Sequence, residues 1–324
     1  DEREGLASGA AMLGYLCAVH PLPVIMIESS LRDLQGANKW LAALALALVG
    51  LTLAVAIAAA GLLRLALDRL LFPPVPLQPV SQAPAEAFRL AGHDGAAMVV
   101  SRFDRTVSSA GQGCVVFFPG HDGGLARYAR DLFPDLERAG LVVYAVAYPG
   151  QDGAPGPARM ADVRALAATA VAKVVASCGR TRTVVAGRSL GAMIAAYACA
   201  DSSPAGLVLE STAPSLSAGI RGALREHWFL RPLALLPMGW ILVHDFSLAE
   251  ALPSRLHVAI FQGSADTRTP LEDLSVDAVQ APIVVVEGGT HADTLLRAKP
   301  AMIATMLGMI RGSQEAAAAG GEDD

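Results

Sequence analysis

Ser189 stands between two glycines in GRSLGA, residues 187 to 192, where the β-branched run TRTVVA gives way to the alanine-rich helical pattern MIAAYACA. A serine hydroxyl is a poor nucleophile unless it is held free of its neighbours and beside a base, and a tight strand-to-helix turn does the holding. Gly187 and Gly191 carry no β-carbon to collide as the chain reverses, so Ser189 at the apex can project its oxygen above the carboxyl ends of the strands. By itself the five-residue pattern is weak in a chain with 31 glycines. A strand before it and a helix after it give it weight.

Such a serine needs a base and an orienting carboxylate, which on a turn of this kind follow in the chain order serine, acid, histidine. His227, His244 and His257 lie before the last strands, whereas His291 in EGGTHADTLL follows the final one, in the loop from which a base can descend onto Ser189. Asp266 in FQGSADTRTP, after the strand LHVAIF, is the favoured acid. Glu210, at the end of GLVLES one strand earlier, competes with it. Negative charge developing on a carbonyl oxygen calls for backbone N–H donors. Leu190 offers one, and the glycine-rich turn FFPGHDGG (117–124) offers a second through the main chain of His121 or Asp122. This set describes acyl transfer through a covalent serine intermediate, with no metal and no organic cofactor.

The elements around these residues alternate. AEAFRLAG and AAMVVSRF read as an opening hairpin around His93-Asp94-Gly95. The runs 114–119, 141–147, 181–187, 206–211, 256–263 and 282–288 follow, most of them continuously apolar, as expected of parallel strands covered on both faces. Helical patterns fall at 124–139, 160–177, 190–200 and 293–310. Strand–helix alternation of this length implies an α/β fold with a mostly parallel, doubly wound sheet and helices on both faces.

The rest of the chain is bounded by composition. A formal net charge of −5 and the lack of any cluster of basic residues interleaved with aromatics argue against nucleic acid as a partner. Cys17, Cys114, Cys178 and Cys199 show no CxxC spacing, so they read as small buried residues rather than a zinc site or a disulfide framework. Residues 41–63, LAALALALVGLTLAVAIAAAGLL, contain no charge. As a helix they extend about 35 Å, enough for a hydrocarbon core of roughly 30 Å, and predict one transmembrane span and a single-pass membrane protein. Residues 1–40 are poorly defined; their apolar stretch 11–27, broken by His20, Pro21 and Pro23, reads as an interfacial segment rather than a second span. Arg32 and Lys39 before the span balance Arg64 and Arg69 after it, which leaves its orientation open. Residues 64–84 read as a proline-rich juxtamembrane linker, 85–311 as one soluble domain, and 312–324 as a disordered tail.

Several stretches of the 85–311 domain resemble the α/β-hydrolase superfamily, and within it the membrane-anchored serine hydrolases with one N-terminal span, a group of lipid esterases and protein depalmitoylases. AYPGQDGAPGPARMADVRAL resembles that group's glycine-rich loop and following helix; GRSLGAMIAAYACADSSPAGLVLESTAPSL resembles its nucleophile segment; FQGSADTRTP and GGTHADTL resemble its acid and histidine loops. The resemblance implies a triad of Ser189, Asp266 and His291, with Asp293 matching an acidic residue two places after the histidine. PGHDGG departs from the His-Gly-Asn turn usual in the group and puts His121 at the oxyanion-hole position.

An insertion between the sixth and seventh strands, residues 215–252, is rich in leucine and holds Trp228 and Trp240. In this fold it would be a helical cap over the site, so Trp228, Leu230, Leu236 and Trp240 are expected to line a pocket for an apolar acyl group. Two readings follow. One is a hydrolase tethered to the membrane through 41–63 and acting on an ester or thioester, lipid-derived substrates included; the other is a catalytically silent hydrolase-like membrane-bound interaction module.

Overall fold

A computed structural model describes residues 39–80, 82–104, 113–242, 245–252, 256–274, 279 and 281–319. Most of the N-terminal segment, the apolar stretch 11–27, Cys17 and His244 lie outside them. The chain divides into two compact units, residues 1–59 and 60–324.

Among the described residues the second unit holds eight strands: β1 (Glu86–Ala91), β2 (Ala97–Phe103), β3 (Gly113–Phe118), β4 (Leu141–Ala147), β5 (Thr183–Arg188), β6 (Gly206–Glu210), β7 (Val258–Gly263) and β8 (Ile283–Val286). They form one sheet in the order β1-β2-β4-β3-β5-β6-β7-β8. β2 runs antiparallel to β1 and β4, and every later pairing is parallel. All residues of β3, β5 and β6 are buried, which accounts for their apolar texture up to the polar ends of β5 (Thr183 and Arg188) and β6 (Glu210). Successive side chains point to opposite faces. Val115 and Phe117 therefore join a cluster on one face with Tyr128, Phe133, Leu136, Met302 and Met306, while the helices 160–178 and 190–198 pack on β3 and β5 from the other.

The helices are α1 (Lys39–Leu71), α2 (Leu125–Asp131), α3 (Phe133–Arg138), α4 (Met160–Cys178), α5 (Leu190–Ala198), α6 (Leu216–Glu226), α7 (Leu248–Ala251) and α8 (Thr294–Ala319). The single helix expected over 124–139 is two, because Pro134 at the start of α3 has no N–H to donate and its ring clashes with the carbonyl four residues back. The insertion between β6 and β7 consists of α6, two short 3₁₀ turns (Arg231–Leu235 and Met238–Trp240) and α7.

Three expectations are corrected. The linker does not begin at residue 64: α1 continues through RLALDRLL to Leu71, since the first helix-breaking proline is Pro73. Its end is fastened to the domain, with the Asp68 carboxylate accepting the Met160 N–H and Phe72 buried edge-on against Tyr148. Residues 312–319 of the expected tail are not irregular, because the strong helix formers in QEAAAA carry α8 on to Ala319; residues 320–324 lie outside the described residues. Nor are all the cysteines lone: Cys114, in β3, is bonded to Cys178, the last residue of α4. That crosslink closes a loop with a sequence separation of 64, a constraint on the unfolded chain of about 4 kcal/mol in the chain-entropy account. Cys199 is buried and free, its thiol pushed up by burial.

Among the described residues one helix is long and apolar enough to cross a membrane, Leu41–Leu71, with a mean hydropathy of 2.6 over a stretch of which nothing is buried.

Candidate active site

The turn between β5 and α5 puts Ser189 at φ 53°, ψ −120°, a conformation L-residues seldom adopt. The geometry of the turn demands its glycines. A β-carbon on Gly187 would lie 2.3 Å from the carbonyl oxygen of Gly191, and one on Gly191 would lie 2.2 Å from that of Pro119. The Ser189 N–H donates to the carbonyl of Glu210 at 2.8 Å, fixing the apex to the neighbouring strand.

His291, in the loop between β8 and α8, has its Nε2 3.1 Å from Ser189 Oγ and its Nδ1 2.9 Å from Asp266 Oδ2. Nδ1–H donating to the carboxylate leaves Nε2 as the acceptor facing the serine. Asp266, in the loop after β7, is buried and well satisfied: the N–H groups of Arg268 and Thr269 donate to Oδ1 at 3.0 and 2.9 Å, and the Thr269 hydroxyl to Oδ2 at 2.8 Å. Burial alone would raise this carboxyl, but the bonds from His291 and Thr269 outweigh it and hold Asp266 below the usual carboxylate range. The acid and histidine loops meet at two glycines; a β-carbon on Gly263 would fall 2.2 Å from the Gly289 carbonyl oxygen. Asp293 does not touch His291 in this network. It accepts from the Thr290 N–H and hydroxyl and pairs with Arg297, bracing the start of α8.

Glu210, the competing acid, is fully buried and pairs with Arg188 at 3.2 Å. Burial raises its carboxyl, opposed by Arg188 and by the Ser211 hydroxyl, which donates at 2.7 Å. Arg188 also donates to the backbone carbonyl of His291. The pair thus supports the histidine loop from beneath. Neither residue signals that role in sequence, because Arg188 reads as the variable position of the serine turn.

The turn after β3 lies on the other side of Ser189. Gly123 and Gly124 adopt φ of 50° and 75°, and a β-carbon on Gly123 would meet the Gln151 side chain at 2.4 Å. The loop after β4 holds this turn: Gln151 donates to the His121 carbonyl at 2.8 Å, and Asp152 accepts the N–H groups of Gly124 and Leu125. Asp122 is engaged by Arg127 through both its oxygens, at 2.7 and 2.8 Å. Burial lowers the His121 imidazole, with Arg268, His291 and Arg127 adding to the effect against Asp122. Leu190, first residue of α5, has no acceptor for its N–H within the helix.

Two cavities meet at Ser189. One, of about 530 Å³, is polar and is walled by Arg127, Arg188, Arg268, Asp122, Thr290 and His291. The other, of about 480 Å³, is apolar and lies between α6 and the last turns of α1. Ser189, His121, Glu226 and Arg268 border both. Of the four residues expected to line an acyl pocket, Leu230 borders the apolar cavity and the others do not. Trp228 is 79% exposed, Trp240 43% exposed, and Leu236 is buried elsewhere in the insertion. Trp228 sits in the turn directly after α6 and Trp240 ends the second 3₁₀ turn, both facing outward, and leucines of α1, assigned from sequence only to the anchor and linker, line the cavity instead.

Residues 115–320 match the alpha/beta hydrolase family, and the chain belongs to that family. Among solved structures it is similar to the Pyrococcus furiosus esterase Pf2001, at 14% identity over 74% of this chain and 98% of that one, with a TM-score of 0.54. It is also similar to DcsB in complex with its substrate analogue, at 15% identity over 70% of this chain and 99% of that one, with a TM-score of 0.52. At these identities the likeness is one of fold. A search of curated proteins gave no match.

Proposed function

We propose that the protein is a membrane-anchored serine hydrolase that cleaves an ester or thioester through an acyl-enzyme on Ser189. The observation that carries this reading is the unbroken hydrogen-bonded line from Asp266 through His291 to Ser189 Oγ at the mouth of two cavities. Ser189 attacks the acyl carbonyl as His291 takes its proton. The backbone N–H groups of Leu190 and of His121 or Asp122 hold the oxyanion, and His291 delivers the proton to the departing alcohol or thiol. Water, deprotonated by the same imidazole, then breaks the acyl–serine bond and returns the hydroxyl to Ser189. Asp266 keeps the imidazole in the required tautomer and stabilises it when charged.

The charge-free, exposed run within α1 supports the anchor. The Cys114–Cys178 bond supports a position for the hydrolase domain on the oxidising side of that membrane, where such bonds persist. Recovery of the two cysteines as free thiols from intact membranes would contradict that side.

The test is hydrolysis of p-nitrophenyl acetate and of an acyl thioester by the full chain. Ser189→Ala is expected to lower kcat by about 10⁶-fold, as loss of the nucleophile does in a triad enzyme. Turnover that survives in this variant would remove Ser189 from the reaction.

A further inference from the structure

The apolar cavity has walls of two origins. On one side stand Leu216, Ile220 and Leu224, four residues apart along α6; on the other stand Leu63, Leu67, Leu70 and Leu71, one face of the end of α1. Leu190 and Met193 of α5 close it at the Ser189 end. The polar groups that border it, His121, Glu226, His227, Arg268 and Thr269, include those that surround the serine. Between the two rows of leucines a polar acyl group would be buried without partners. At about 480 Å³ the cavity falls in the size range of small-molecule pockets, roughly 300–1,000 Å³, and its apolar walls suit a hydrocarbon chain. On the far side of Ser189 the second cavity offers arginine, threonine and histidine side chains instead.

From this juxtaposition we infer that the substrate is an ester or thioester of a long-chain fatty acid, its chain held in a slot of which the end of the anchoring helix is one wall and its polar leaving group held in the arginine-lined cavity. The inference rests on the reading of Ser189 as nucleophile. The anchor is then part of the acyl-binding site as well as a tether, and Leu63 and Leu67 are specificity-determining residues. Arg64 and Arg69 project from other positions of the same turns and do not border the slot.

The experiment measures kcat/KM for p-nitrophenyl acetate, hexanoate, laurate and palmitate with the full chain in lipid nanodiscs. Reaction with a small fluorophosphonate runs in parallel as the check on Ser189. In the wild-type protein kcat/KM rises several-fold for every two added methylenes until the slot is full. Leu67→Trp, which fills the slot from the α1 side, lowers the laurate-to-acetate ratio by about tenfold or more, and Ile220→Trp does the same from the facing helix. Leu65→Trp, on the exposed face of α1, leaves the ratio unchanged. Should Leu67→Trp fail to react with the fluorophosphonate, Leu63→Phe is a smaller intrusion on the same wall and carries the same expectation. A wild-type chain that reacts with the fluorophosphonate but shows a flat chain-length profile overturns this inference alone. So does a Leu67→Trp or Leu63→Phe protein that reacts normally and keeps the wild-type ratio. A wild-type chain that neither reacts with the fluorophosphonate nor hydrolyses any of the esters overturns the nucleophile reading beneath it.

Discussion

Asp266→Asn lowers kcat by about 10⁴-fold, the scale of the same change in other serine triads, while the protein stays folded. The amide still accepts the Arg268 and Thr269 N–H groups through its oxygen, so the loop keeps its shape. It can, however, present an N–H to His291 Nδ1, which turns the imidazole to the tautomer whose Nε2 carries a proton and cannot receive the one from Ser189. Glu210→Gln has the opposite profile. It weakens the buried pair with Arg188 and costs on the order of 2 kcal/mol of stability. The serine–histidine contact remains, so kcat changes by less than about tenfold on the general scale of indirect positioning effects. Steady-state kinetics and denaturant unfolding on both variants separate the two carboxylates. A larger kcat loss in Glu210→Gln would move the acid to β6.

Gly222→Ala, a substitution that would raise the intrinsic helix propensity of α6, lowers kcat by about 10²-fold and destabilises the domain by roughly 1–3 kcal/mol. A β-carbon at this position would lie 1.8 Å from the backbone carbonyl oxygen of Arg268, so helix and loop must part. The loop that yields is the one holding Asp266, because the Arg268 N–H donates to its Oδ1 and the Arg268 side chain pairs with Glu226 at the end of α6. Displacement of the carboxylate by a fraction of an ångström loosens the tautomer control over His291. Gly219, on the same helix and at the edge of the apolar cavity, meets the Ala213 side chain only at ordinary contact distance, so Gly219→Ala serves as the control and leaves kcat for p-nitrophenyl acetate near the wild-type value. Equal kinetics in the two variants would detach α6 from the positioning of the acid.

The parts of this arrangement that could be read from sequence are those in which a local requirement leaves a local mark. Burial on both faces writes β3 and the centres of β5 and β6 as apolar runs, and the steric need at Gly187 and Gly191 writes the serine turn as GRSLG. Asp266 and His291 were legible because strand ends place them, and chain order then selects among the histidines. What was not legible depends on partners far apart in the chain. Arg188 gains its role only when β6 brings Glu210 beside it, Gly222 only when the cap helix meets the acid loop, and Cys114 and Cys178 only when the β3-to-α4 crossover is made. The acyl-pocket expectation erred for a related reason. Tryptophans within an inserted segment can face solvent as readily as a cavity, whereas the leucines that do line it belong to a helix whose composition points first to a membrane.

The central claim, that Ser189 is a nucleophile activated by His291, is tested most directly by treating the full chain with a fluorophosphonate and locating the adduct by peptide mass spectrometry. The account predicts one adduct, on Ser189, formed rapidly in the wild-type protein and slowed by about 10³-fold or more in His291→Ala, which removes the general base. A folded wild-type chain that forms no adduct, or forms it on another residue, would contradict it.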